Sequence, residues 1–481
     1  MNLHTKYGKT KLYDQPLYMN PRSTEEVFPV KAIDDSGIFT LNNGKYSKSF
    51  VLSDINFAGV TDMEQKTIII NFSKVLNSVN CRFSYTVANE YVDKNSFSNR
   101  ILYKKRNDDM DDLCDAFNEV INEKVTDAKQ GLYQTIYFTL TVDANNIRDA
   151  KNMFSSIEAT LSSSLVQIGI NGMAGSTLEP ISINQRMQTW FNFTHSGIMT
   201  NYKFDLQECI RHNKNWIDVI SPETISFYND YFVMNGKQYG RVMYISKHAQ
   251  SLESDTIAEL AKINSTNYIT INNELLDLSG YKQEITRKHS SVGLQIEREK
   301  KRNRDNHDFL ADANDKLLSD KDSLIKLSRQ VESGDDHFFN TTIMIMFLAK
   351  SMQELDEITE QIIAVGGVKS FEVKPCFHMQ RQGINSTFMF GAQEFKRMAN
   401  FSAPCLAMYM PFKTQELNDN NGTYYGINKL SQNPIIANRK LLDSYHGMIL
   451  GKTRSGKSVF AKCEIISNRC LNPEDQILII D

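Results

Sequence analysis

The sequence predicts an α+β amino-terminal region followed by the first βαβ unit of a phosphate-loop α/β domain. Three observations predict it. Apolar stretches of strand period, bounded by turn residues, recur between residues 27 and 373 and alternate with helical patterns. The run Gly451-Lys452-Thr453-Arg454-Ser455-Gly456-Lys457-Ser458 fits G-x-x-x-x-G-K-[ST]. A continuous apolar run, Gln476 to Ile480, follows one helix length later, as a buried parallel strand requires.

Residues 1–25 are polar and read as a loose segment. A hairpin follows, Val27–Ile33 and Ile38–Leu41, turning at Asp34-Asp35-Ser36-Gly37. Asn42-Asn43-Gly44 then turns the chain into Lys48–Leu52. Asp62–Val79 reads as helix and Cys81–Val92 as strand. Asp108–Asp127 reads as an amphipathic helix with acids at its start, where the macrodipole favours them. Leu132–Val142 is the clearest strand, and Asn146–Ile168 is a helix. The order then repeats. Ile225–Met234 and Arg241–Ile245 form a hairpin across Asn235-Gly236. Helix Asp255–Ile263, strand Asn267–Ile271 and the charged helical stretch Leu275–Val331 come next. Strand Thr341–Leu348, helix Met352–Val365 and strand Ser370–Val373 complete the second series. The expectation is two similar α/β-sandwich halves, 26–200 and 201–420, the second with a long charged helical segment at 275–332. No residue-level repeat supports it.

The 481 residues are too many for one domain. A net charge of −3, 23% charged and 41% hydrophobic residues describe an ordinary globular chain, with no basic excess that would argue for broad nucleic-acid binding. The seven cysteines are dispersed and form no C-x-x-C pair, which suits a reducing cytoplasm. The first residues contain no apolar signal core, and Thr342–Ala349 is far shorter than the ~20 residues a membrane span needs. Membrane association is expected through partners. The run Glu297–Arg304 with Asp305, Asp308, Asp312 and Asp315 reads as a solvated helix face with i,i+4 ion pairs, the alternative being a partner- or DNA-binding helical pair. Cys376 and His378, near His337, Asp335 and Asp336, lack the second spaced pair of a zinc site. Trp190-Phe191-Asn192-Phe193 with Met187, and Phe388-Met389-Phe390, read as packed core.

Around the glycine-rich run, Gly447–Leu450 reads as a short buried strand and Ser458–Arg469 as a helix. Gly451 and Gly456 let backbone N–H groups turn toward an anion without a Cβ in the way. The helix beginning at Lys457 adds its positive end. The predicted nucleotide-binding residues are therefore Gly451, Lys452, Thr453, Arg454, Ser455, Gly456, Lys457 and Ser458. Lys457 suits the β- and γ-phosphates, and the Ser458 hydroxyl suits Mg²⁺, so ATP and Mg²⁺ are the expected ligands.

Residues 422–481 resemble the VirB-four-type (TrbE/CagE-type) ATPases of conjugal transfer and type IV secretion, in their Gram-positive conjugative-element branch. The resembling stretches are Gly422–Asn428, Asn433–Arg439, His446–Gly451, the loop itself and Phe460–Ile465. The resemblance implies a RecA-like ATP-binding motor that energises channel assembly or DNA/protein transfer. It further implies an oligomer held peripherally at the inner face of the cell membrane by membrane-embedded channel proteins, with any DNA contact indirect. Arg454 stands where that family usually has Gly. Ile479-Ile480-Asp481 looks like the start of the family's Ile-Asp-Pro-Glu segment. The chain is thus expected to be truncated within the ATPase domain and unable to hydrolyse ATP alone, with Asp481 its single catalytic candidate. Two other readings stay open: an FtsK/HerA-like DNA translocase or coupling protein, and a truncated, non-catalytic docking remnant.

Overall fold

The computed structural model describes residues 21, 23–91, 102–108, 110–127, 132–170, 174–196, 202–249, 251–305, 314–334, 336–413, 417, 419, 421–428, 434–442 and 444–480. Most of the segment expected to be loose, 1–25, lies outside them.

The chain opens with β1 (Val30–Ile33), β2 (Ile38–Leu41) and β3 (Tyr46–Leu52). Gly37 and Gly44 make the turns, both at φ 80°. Helix α1 (Asp62–Asn77) starts where Glu64 accepts from the Thr61 N–H at 2.9 Å. Strand β4 (Arg82–Tyr91), helix α2 (Asp111–Asp127), strand β5 (Leu132–Val142), helix α3 (Ile147–Val166), strand β6 (Leu178–Pro180) and helix α4 (Ile183–Thr194) follow. Two short helices, α5 (Leu206–Arg211) and α6 (Trp216–Ile220), lead into the second series.

That series is β7 (Ile225–Phe227), β8 (Phe232–Met234), β9 (Gln238–Lys247), α7 (Thr256–Ala261) and β10 (Thr266–Leu275), then the paired helices α8 (Leu278–Asp305) and α9 (Asp315–Ser333). It closes with β11 (Phe338–Ala349), α10 (Met352–Val368), β12 (Glu372–Pro375) and α11 (Gln380–Thr387). The stretch Ile225–Met234, expected as one strand, is two: Asn229-Asp230 form a turn closed by Tyr228 N–H to Tyr231 O at 2.9 Å.

The fold is mixed α+β around a large antiparallel sheet. Its main path is β1-β2-β3-β5-β4-β10-β11-β9-β8-β7, with β6 on β3, β12 on β9, and β13 (Ala399–Ser402) on β11. The two series meet at the β4–β10 pair. Outward from that seam the strands read β4, β5, β3, β2, β1 on one side and β10, β11, β9, β8, β7 on the other. Every strand of the second side is the first side's number raised by six, including β12 for β6.

Alternate strand residues feed two cores, as the two-residue period dictates. On one face Phe83, Tyr85, Phe138, Ile269 and Ile343 pack against α1, α3, α7, α10 and α12 (Ala403–Ala407). On the other, Tyr137, Tyr268 and Met344 pack against α4, α5, α6 and Ile384 of α11. Trp190 and Phe388–Phe390 lie buried in this second core, as does Cys376.

The middle of the second face is polar and still buried: Ser47, Ser49, Thr139, Thr141, Thr270 and Asn272 line it. A strap, residues 386–391, crosses it. The sheet side chains donate to the strap's backbone carbonyls. Ser47 reaches Phe390 O, Thr141 reaches Gly391 O at 2.8 Å, and Asn272 reaches Ser386 O at 2.7 Å. A strap without strand partners would otherwise bury unpaired carbonyls. Arg186 of α4 is 1% exposed and serves the same end. Its guanidinium donates to Gly37 O, Ser47 O and Met389 O at 3.0, 2.8 and 2.9 Å, and lies 3.6 Å from the Phe39 ring centroid.

Within the charged stretch 275–332 the described residues form the α8–α9 pair, seated at its base where Tyr281, Ile285 and Val331 pack on Phe338. Lys288–Glu284 is one i,i+4 ion pair on its surface, at 2.7 Å. Among the described residues no helix is long and apolar enough to cross a membrane.

Candidate phosphate-binding loop

After the sheet region come a separate hairpin, β14 (Thr423–Ile427) and β15 (Pro434–Ala437), and then helix α13 (Lys457–Leu471). These elements pack on α2. Tyr103, Cys114 and Ile121 meet Ile436 of β15 and Cys470 of α13 in a third apolar cluster. The excursion between β4 and β5 thus supports the helix that follows the glycine-rich run.

The run itself is a bend onto the helix. Gly456 is the N-cap, at φ 86°, and no side chain caps the first turn. The first N–H groups of α13 are left for an outside acceptor. A Cβ on Gly451 would come within 2.5 Å of Ser455 Oγ, so only glycine fits there without a shift. Arg454 is at φ 67°, in the left-handed region. This is the position at which the sequence already departs from glycine, and an L side chain there costs roughly 1–2 kcal/mol.

Lys457 Nζ donates to Gly451 O and Lys452 O, both at 2.8 Å. Its charge therefore sits inside the concavity, where phosphate oxygens can replace the two carbonyls. Ser458 is exposed on the first turn of α13. Lys452, Arg454 and Lys457 put three cations within eight residues that contain no acid. The nearest acid downstream, Glu464, is engaged elsewhere: Arg439 Nε lies 2.6 Å from it and Tyr425 OH donates to it at 3.0 Å. Backbone, cations and hydroxyl fit a triphosphate with Mg²⁺.

One expectation is corrected. Of the predicted βαβ unit, the described residues show the helix alone. Among them Gly447–Leu450 and Gln476–Ile480 pair with no strand, and they are exposed rather than buried: Leu450 82%, Leu478 86% and Ile480 89%. A parallel strand needs at least one neighbouring strand and cover on both faces. Neither segment has them here. Asp481 lies outside the described residues. Among the described residues no group of three or more His, Cys, Asp or Glu is placed to hold a metal.

Sequence reading missed the hairpin and its link to α13. A cleft of about 460 Å³ separates them, lined by Tyr425, Lys440, Tyr445, Asn468 and Asp475 among others. Nothing in the spacing of Thr423–Ile427 and Pro434–Ala437 marks them as strands. No protein-family model matches this chain, and no curated protein matches it.

Proposed function

We propose that the chain binds ATP–Mg²⁺ at Gly451–Ser458 and serves as the ATP-binding motor component of a conjugative type IV secretion system. The observation that carries the reading is the placement of Lys457 Nζ on two loop carbonyls, beneath a helix start with no side-chain cap. Lys457 would hold the β- and γ-phosphates, the first-turn N–H groups would donate to them, and Ser458 would ligate Mg²⁺. Mg²⁺, when bound, neutralises charge on the phosphates. The sheet region would be two copies of one design, supported by the shift of six in strand order. It would dock on channel proteins at the membrane's inner face, with the loop domain RecA-like and the assembly an oligomer.

A second reading, a docking scaffold without turnover, is favoured by the exposed, unpaired segments on either side of α13. Equilibrium titration with a fluorescent ATP analogue and Mg²⁺ tests the first reading. Saturable binding is expected, weakened at least ~10-fold in Lys457→Ala, a loss of about 1.4 kcal/mol. Equal binding by both proteins, or none by the wild type, overturns it. Binding without phosphate release favours the scaffold.

A further inference from the structure

Cys114 and Cys470 are 356 residues apart in sequence, yet their sulfurs lie 2.8 Å apart. Cys114 is on the first turn of α2 and Cys470 on the last turn of α13; they are 3% and 4% exposed. Both belong to the cluster that seats α13 on α2, among Tyr103, Phe117, Ile436 and Ile466. Two thiols in apolar surroundings gain little from each other, because S–H is a weak donor and sulfur a weak acceptor. Closing them to a covalent bond needs a movement of less than about 1 Å.

We propose that Cys114 and Cys470 form a reversible disulfide that pins the far end of α13 to α2. The oxidant is a low-molecular-weight disulfide. One cysteine, as thiolate, attacks a sulfur of that disulfide, and one small thiol leaves. The second cysteine then attacks the mixed disulfide and expels the second small thiol. The protein loses two protons and two electrons, and the small disulfide gains them. Burial pushes the Cys470 thiol up to about 12, so exchange is slow in both directions and a formed bond persists. The closed link restrains the helix that carries Lys457 on its first turn. The inference stands apart from the nucleotide reading, since it rests only on the packing of α13.

The test is peptide mapping of the full chain by mass spectrometry, after incubation with oxidised glutathione and alkylation of remaining thiols. The expected result is one linked peptide pair, Cys114 with Cys470, lighter by two hydrogens than its reduced parts and released by dithiothreitol. A Cys470→Ala variant with an unchanged near-ultraviolet circular dichroism spectrum is expected to leave Cys114 unlinked. The proposal is overturned if both cysteines are recovered alkylated while exposed Cys405 carries the glutathione. It is overturned equally if the same pair forms in chain unfolded in urea before oxidation, since the fold would then not direct it.

Discussion

The hydroxyls of Thr86 and Thr270 lie 2.9 Å apart at the middle of the β4–β10 pair, where the two series of strands meet. Thr270 also donates to Thr387 O at the strap's entry. One hydroxyl therefore joins both halves and the strap. Thr270→Val keeps the shape but leaves the Thr86 hydroxyl and the Thr387 carbonyl buried without partners, at about 1–3 kcal/mol. Thr86→Val removes a single bond and is expected to cost less. Urea denaturation of the two variants decides it; equal costs would show that the Thr387 contact adds nothing.

Gly391 is at φ 80°, and a Cβ there would stand 2.5 Å from Thr141 Oγ1 and 2.6 Å from Ser47 Cβ. Gly391→Ala is expected to destabilise by roughly 2–4 kcal/mol, from backbone strain and overpacking together. Adding Thr141→Ala restores at most part, since the φ penalty and the Ser47 contact remain and the Thr141 bond to Gly391 O is lost. Thermal melting of the single and double variants checks this.

Arg454 holds a left-handed backbone that glycine adopts without penalty. Arg454→Gly is expected to stabilise the fold by roughly 1 kcal/mol and to leave Mg²⁺–ATP affinity unchanged, because the strain is already present without ligand. Urea denaturation reads the first effect, and the titration that tests Lys457→Ala reads the second. Weaker binding would mean that the Arg454 guanidinium contacts phosphate.

Glu90 accepts from Tyr268 OH at 2.8 Å and from Tyr137 OH at 3.2 Å. Burial pushes its carboxyl up to about 7, against the two donors. A raised folded value means that its stabilising contribution is complete below the ordinary value, 4.5, and is lost as pH rises through about 7. Burial moves His248 the other way, down to about 4, so its contribution is lost as pH falls from 6.5 toward that value. The diagnostic quantity is thus the difference between wild type and Glu90→Gln. Glu90→Gln is expected to gain on the wild type by on the order of 1–3 kcal/mol between pH 5 and pH 8. A constant difference in melting temperature across that range would refute it.

Much of the fold was legible because its elements announce themselves locally. Leu132–Val142 alternates and forms β5 with those bounds. Asn146 sits before an apolar period and caps α3 by accepting from Asp149 N–H. Helix α11, which leads into the strap, was not legible: Gln380–Thr387 is polar, and the burial of its end depends on a hydroxyl of a strand far away in sequence. Arg186 was equally hidden, because three carbonyl partners bury it rather than an acid. The loop was read from its glycines and lysine, which act locally. Its flanking segments were read from apolarity alone, and apolarity does not supply a neighbouring strand. The Cys114–Cys470 contact has no sequence signal, since it depends on the whole fold between them.

The strap also fixes an order of assembly. Thr141 and its acceptor Gly391 are 250 residues apart. At 5–20 residues per second, synthesis leaves the polar middle of β3 and β5 uncovered for on the order of 10–50 s after β5 emerges. The first half must wait as an open-faced sheet whose exposed hydroxyls water can satisfy. An apolar surface in that place would invite misassembly during the same interval, so the serines and threonines beneath the strap give the nascent chain a tolerable waiting state.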